Sequence, residues 1–264
     1  MPELTLGSLN LHMGRGPGGH AAPFYDVVTA CKEVDTDVLV LQEAWVPDGD
    51  EGDVVAIASA LGYTIAGSFT VARASCHDQV RLVARSGPAG DGDWVVAVLS
   101  RVPVVSSTVA PLHPQLPRDP GRRALVIASV DAGGPVPFTV AGTHMPLLKD
   151  PVWRLRRSLR ASLPSVTAPA AFAGDMNMWG WLASHLAGPP WRRAVRGRTY
   201  PSPRPTARPT TSWSPHRSRS PRPKSSPKPS PTTAPSAPAC SSDSPARLAA
   251  SAPVAQPPVT EPHD

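Results

Sequence analysis

Ala170-Ala-Phe-Ala-Gly-Asp-Met-Asn177 is an apolar run that stops on a glycine, an acid and an amide. A short continuous apolar stretch of this kind, entered from Ala168-Pro169, reads as a strand buried on both faces. Three more runs share its character: Asp37-Val-Leu-Val-Leu-Gln-Glu43, Trp94-Val-Val-Ala-Val-Leu-Ser-Arg101 and Phe138-Thr-Val-Ala-Gly-Thr-His144. Leu4 to Asn10 is a fifth, with more alternation, and Arg123 to Val130 a sixth. Five of the six finish on a polar or ionisable residue: Asn10, Glu43, Arg101, His144 and Asp175. If the sheets bring those ends together, one amide, two carboxylates, an imidazole and a guanidinium form a cluster suited to a metal-bound phosphate.

Helical patterns lie between the strands. Phe24, Val27, Val28, Cys31 and Val34 have the spacing of one helix face, as do Val54, Val55, Ala58 and Leu61. Gly62 follows the second as a C-cap. Pro151 stands where a third helix starts, with Val152, Leu155, Leu159 and Leu163 along one side. Strands and helices mix without a regular βαβ repeat, which predicts an α/β fold of mixed sheets covered by helices.

Composition divides the chain. Of its 35 prolines, 17 lie after Tyr200, and Ile, Val and Leu thin out over the same stretch. A segment so rich in Pro, Ser, Thr and Ala buries too little apolar surface to offset its chain entropy. The expected organisation is a domain over residues 1–207 and a disordered tail over 208–264. The net charge of +6 is mostly the tail's, which holds seven Lys/Arg against three Asp/Glu. The domain itself is close to neutral, so its charge does not point to a nucleic acid. Cys31, Cys76 and Cys240 show no metal-ligand spacing, and three scattered cysteines suit a reducing compartment. With no signal-peptide pattern and no run of 18 apolar residues, the expectation is a cytoplasmic monomer without a transmembrane segment.

Five short motifs occur in order: Ser8-Leu-Asn10, Leu41-Gln-Glu43, Leu99-Ser-Arg101, Thr143-His144 and Gly174-Asp-Met-Asn177. Each alone is weak. As an ordered set they resemble the endonuclease/exonuclease/phosphatase superfamily over about residues 4–207. The resemblance implies a four-layer, DNase I-like α/β sandwich and Mg²⁺ (or Mn²⁺) as cofactor. Its implied reaction is attack of water on a phosphate ester. Glu43 and Asn10 would serve the metal, a hard cation that prefers oxygen ligands. Asp175 would position and activate the water, and Asn177 would donate to the charge growing on phosphate oxygens. His144 would contact a phosphate oxygen, preferably as the cation, and Arg101 would contact the substrate phosphate. Substrates in the superfamily include nucleic acids, nucleotides and phospholipid headgroups. Ala72 to Gly92, with His77, Arg81 and Arg85, is the candidate specificity loop.

Each residue also has an ordinary reading. Glu43 can cap a strand, Asn10 can be a loop residue, and Asp175 with Asn177 can form an Asx turn. His144 can be a satisfied core histidine, and Arg101 can pair with a structural carboxylate. Arg154, Arg157 and Arg160 read as a solvated helix face, and Trp179 and Trp181 as packing.

The superfamily pattern continues with an Asp-His opening a strand and then a Ser-Asp-His whose histidine acts on the scissile phosphate. Neither is present after Ala207. The genetic code suggests why. Reading from the third base of each codon, Pro209 to Ser214 can give Asp-His-Val-Leu-Val. In the same phase, Ser230 to Ala239 can give Ser-Asp-His-Arg-Ala-Val-Arg-Ala-Arg. A frameshift near Ala207, in the gene or in its reading, would account for the tail. Two other functional readings therefore stand beside the hydrolase: a catalytically impaired remnant, and a nucleic-acid-binding protein that uses the basic tail.

Overall fold

The apolar runs become strands of two β-sheets that face each other. The structure, a computed structural model, describes residues 3–14, 26–75, 81–84, 91–119, 121–147, 149–178, 180–194 and 210–215. One sheet contains β1 (Leu6–Asn10), β2 (Val38–Pro47), β3 (Thr64–Ser75), β4 (Arg81–Ala84) and β5 (Gly92–Ser100), in the spatial order β1-β2-β5-β3-β4. The other contains β6 (Val104–Pro111), β7 (Ala124–Val130), β8 (Phe138–His144), β9 (Ala170–Asp175), β10 (Trp191–Arg193) and β11 (Thr210–Pro215), in the order β10-β11-β9-β8-β7-β6. Among the described residues only β1/β2 and β8/β9 are parallel pairs; the remaining neighbours are antiparallel.

The period-2 geometry of a strand explains why the runs are continuously apolar. Val38, Val40, Val96, Val98, Val126, Val140 and Ala173 point into the space between the sheets. Their sequence neighbours point outward to helices. Leu39, Leu41 and Leu99 pack under α1 (Val27–Val34) and α2 (Gly52–Leu61). Leu125, Ile127 and Phe172 pack under α3 (Val152–Ser162) and α4 (Gly180–Ala187). The result is the expected sandwich of helices, sheet, sheet and helices. The sheets meet closely at Gly142, where a Cβ would lie 2.7 Å from Val40 and 2.8 Å from Val98.

The helices follow their sequence signals, with adjustments. Asp26 caps α1, its Oδ1 accepting from the Val28 and Thr29 amides at 2.9 and 3.2 Å; Phe24 lies outside the described residues. In α2 the buried positions are Val54, Ile57 and Ala58. Ile57 takes the place expected for Val55, because the face continues at i+3 and i+4. Gly62 is left-handed at the C-cap, as expected. Pro151 is the N-cap of α3 rather than its first residue, and Leu155 and Leu159 are fully buried. Trp181, expected to pack, is 67% exposed; Trp179 lies outside the described residues.

One further expectation changes. The stretch from Ala72 to Gly92 is not simply a loop: Ala72–Ser75 ends β3, Arg81–Ala84 forms β4, and the two pair; His77 and Arg85 lie outside the described residues. One strand of the second sheet, β11, lies beyond Ala207, the expected end of the domain. β11 pairs with β9 on one side and β10 on the other, with Thr210 opposite Asp175. A strand buried like β9 needs partners for its backbone groups on both edges. Thr210 to Ser214 contains no proline, so it can supply that ladder. By internal contacts the chain divides into Met1–Ser218 and Arg219–Asp264. The second unit lies outside the described residues, and with it most of the expected tail.

Candidate active site

Strand direction decides which strand ends meet. The parallel pairs β1/β2 and β8/β9 deliver Asn10, Glu43, His144 and Asp175 to one place. The amide nitrogen of Asn10 donates to Glu43 Oε1 and to Asp175 Oδ2, both at 2.9 Å. It thus ties the two sheets together through two carboxylates. His144 Nε2 lies 3.6 Å from Glu43 Oε1. Asn177, just past β9, places its Nδ2 2.8 Å from His144 Nε2 and 2.7 Å from the Met145 carbonyl. Its backbone amide donates to Asp175 Oδ1 at 2.8 Å, so the Asx turn and the cluster are the same structure.

Local backbone irregularities aim these side chains. Glu43 sits in a β-bulge between Leu41 and Ala44 of β2 with φ 52°, and Asn177 has φ 49°. Left-handed conformations at non-glycine residues cost about 1–3 kcal/mol each, and they persist where the surroundings enforce them. Gly174, with φ 153°, lets β9 pass β8: a Cβ there would lie 2.0 Å from the Thr143 carbonyl oxygen.

The electrostatics follow from burial. The Glu43 side chain is 16% exposed, and loss of hydration pushes its carboxyl up to about 7, with Asp175 adding to the rise. Burial also raises Asp175, against the hydrogen bonds from Asn10 and the Asn177 amide. His144 is driven well below its ordinary value, first by burial and then by the Arg123 guanidinium. Both effects favour the neutral ring. Since Nε2 accepts from Asn177, the ring proton resides on Nδ1, which is buried without a hydrogen-bond partner. Two buried carboxylates sharing one neutral amide donor form a site that a cation would relieve, and their oxygens are the donors a hard divalent ion prefers. Among the described residues no group of three or more His, Cys, Asp and Glu converges as a metal cage. Any ion held here would keep several waters.

Arg101 is not part of the cluster. β5 runs antiparallel to β2, with Val38 opposite Ser100 and Pro47 opposite Gly92. Its last residues therefore lie at the far end of the sheet from Glu43. There Arg101 contacts Asp35 at 2.6 Å and the Leu61 carbonyl at 3.2 Å, and lies 4.4 Å over the Tyr63 ring. The same reversal brings the first residues of β5 and of β7 to the site: Trp94 itself and Arg123, just before β7. Trp94 stands edge-on to His144 at 5.2 Å. Arg123 is held by both oxygens of Asp119, at 2.7 and 3.0 Å, and donates to the His144 carbonyl at 3.1 Å. Together with Glu43, His144 and Asn177 these residues line a cleft of about 160 Å³, whose lining also includes Arg118, Pro146, Leu147 and Lys149.

The profile of the Endonuclease/Exonuclease/phosphatase family matches residues 7–227. The chain belongs to this family. An endonuclease/exonuclease/phosphatase of known structure from Beutenbergia cavernae superimposes with a TM-score of 0.62 at 23% identity, covering 81% of this chain. This chain spans 64% of that protein's length. A family protein from Leptotrichia buccalis gives 0.57 at 12% identity, covering 80% of this chain and 87% of its own. The catalytic domain of human Nocturnin, solved with a sulfate anion, gives 0.51 at 16%, covering 76% and 79%. These likenesses establish the DNase I-like sandwich. No curated protein matches the chain.

In this member of the family, reading strand ends alone missed Trp94, Arg118, Asp119, Arg123 and Lys149. Arg123 and Trp94 open apolar runs rather than closing them, so only strand pairing reveals them. Arg118, Asp119 and Lys149 are loop residues with no local signature. Asn10 differs in detail too. Its oxygen accepts from the His12 amide at 2.9 Å, so its nitrogen, not its oxygen, faces the carboxylates.

Proposed function

We propose that the chain is a divalent-cation-dependent hydrolase of phosphate esters, with Mg²⁺ or Mn²⁺ as the cation. The observation that carries this reading is the pair of buried carboxylates, Glu43 and Asp175, bridged by one Asn10 amide, with Glu43 lining a cleft that also holds arginines. When bound, the cation would draw charge from a phosphate oxygen. Glu43 would hold it, and Asn10 would fix the orientation of both carboxylates. A carboxylate oxygen of Asp175, raised by burial, is suited to take the proton from an attacking water. Asn177 would give a phosphate oxygen the N–H it now shares with His144. Neutral His144 keeps that amide aimed into the cleft until substrate arrives.

The test is hydrolysis of bis-p-nitrophenyl phosphate and p-nitrophenyl phosphate with Mg²⁺, with Mn²⁺ and with a chelator. Glu43→Gln and Asp175→Asn should each lower kcat by about 100-fold or more. Turnover that is indifferent to chelator, or unaffected in both variants, would count against the assignment.

A second reading, an impaired member of the family, is favoured by one observation. β11 runs beside β9 with Thr210 opposite Asp175, in the stretch where the shifted codon phase gives Asp-His. The chain would then keep the cation site and lack the groups that complete it.

A further inference from the structure

The cleft holds more positive charge than one scissile phosphate requires. Arg123 is matched by Asp119. Arg118 and Lys149 line the same cleft, are exposed, and make no ion pair with a carboxylate among the described residues. They lie on separate loops that are fastened to each other. Arg118 Nη1 donates to the Lys149 carbonyl at 3.1 Å, and the Arg118 backbone amide donates to Asp150 Oδ2 at 3.2 Å. The Asp150 carboxylate is buried, and its other oxygen lies 3.8 Å from Arg154. Asp150 therefore sets the spacing of the two loops while its charge is directed to Arg154. Side chains presented from pinned loops lose less freedom on binding than side chains of loose ones. The apolar part of the lining comes from Pro146 and Leu147, the latter 58% exposed.

A phosphodiester carries one negative charge, which a divalent cation at Glu43 would already attract. Two further unmatched cations in the same cleft call for a second anionic group, and the apolar surface beside them suits an organic spacer. We propose that Arg118 and Lys149 form a subsite for a second phosphate, so that the substrate class is an organic phosphoester bearing another phosphate group. This rests on the hydrolase reading for its biological sense, but it can be tested by binding alone.

Titration calorimetry in metal-free buffer would compare propane-1,3-bisphosphonate with propylphosphonate. The wild-type chain should bind the bisphosphonate about tenfold more tightly or better, the scale of an added charge-assisted contact. In the double variant Arg118→Gln/Lys149→Gln that preference should fall below about threefold. Arg101→Gln, at the opposite end of the sheet, should keep the preference and so exclude a general charge effect. Glu43→Gln should keep it too, so a failed hydrolase assignment would not mimic a failed subsite. A wild-type chain with no preference, or a double variant that retains it, would overturn the proposal.

Discussion

At the scale of single residues, the site stores unfavourable energy that should be measurable without substrate. Glu43 is neutral in both folded and unfolded states below its ordinary value of 4.5. Between 4.5 and about 7 the unfolded chain releases the proton while the folded chain retains it. Stability is therefore lost as pH rises through that window, by about 3 kcal/mol once it is crossed. Glu43→Gln removes the titrating group. Urea unfolding in the presence of chelator should find the variant more stable than wild type by up to that amount at pH 8, with the difference closing near pH 4.5. Equal stabilities at pH 8 would mean that the buried charge is compensated by groups other than those described. Gly174 makes the opposite point. A side chain there meets the Thr143 carbonyl at 2.0 Å, and the backbone is already at φ 153°. Gly174→Ala should cost at least about 3 kcal/mol in the same experiment. A cost below 1 kcal/mol would show that β8 and β9 can separate.

At the scale of elements, the five buried strands β2, β5, β7, β8 and β9 were legible because each must satisfy two apolar neighbours, one between the sheets and one under a helix. That double demand writes an unbroken apolar run. β6 escaped notice for the complementary reason: it is an edge strand, mostly exposed, and Ser106, Ser107 and Thr108 break its pattern. β3 mixes Gly67, Ser68 and Arg73 among its apolar residues. The sequence also carries no sign of strand direction, so Arg101 was placed with Glu43 and Trp94 was not. β11 is the least legible element, a Thr-Thr-Ser-Trp segment set among prolines, yet it covers the open edge of β9. Cutting the chain after Ala207 should expose that edge and lower the melting temperature by several degrees, with light scattering from edge-to-edge association. A chain ending at Ser218 should melt with the full-length protein. If both truncated forms melted alike, β11 would contribute nothing to the sheet.

At the scale of the whole molecule, the family profile continues to residue 227, beyond the point where the composition turns to proline. The matched range thus includes the stretch where the first of the missing motifs, Asp-His, would stand. The register gives that absence a physical meaning. Thr210 to Trp213 pair with Asp175 back to Phe172, so residues of β11 stand directly beside the strand that supplies the proposed base. The alternative codon phase changes this segment to Asp-His-Val-Leu-Val, which replaces hydroxyls by a charged opening and a β-branched, apolar body. Such a body is better suited to a strand between two others than Thr-Thr-Ser-Trp-Ser. It also adds a carboxylate and an imidazole beside Asp175. Two consequences should appear together in a chain whose codon phase is restored after Ala207. Its melting temperature should rise by several degrees because the sheet gains apolar cover, and metal-dependent hydrolysis should rise by about 100-fold or more because groups are added at the phosphate. Inspection of the coding DNA is the simpler arm. Third bases other than G in the codons for Pro209 and Pro231 cannot yield aspartate in the shifted phase, and the tail would then be the protein's own. Restored phase with unchanged stability and turnover would lead to the same conclusion, leaving the cluster of Asn10, Glu43, His144, Asp175 and Asn177 to act without further help.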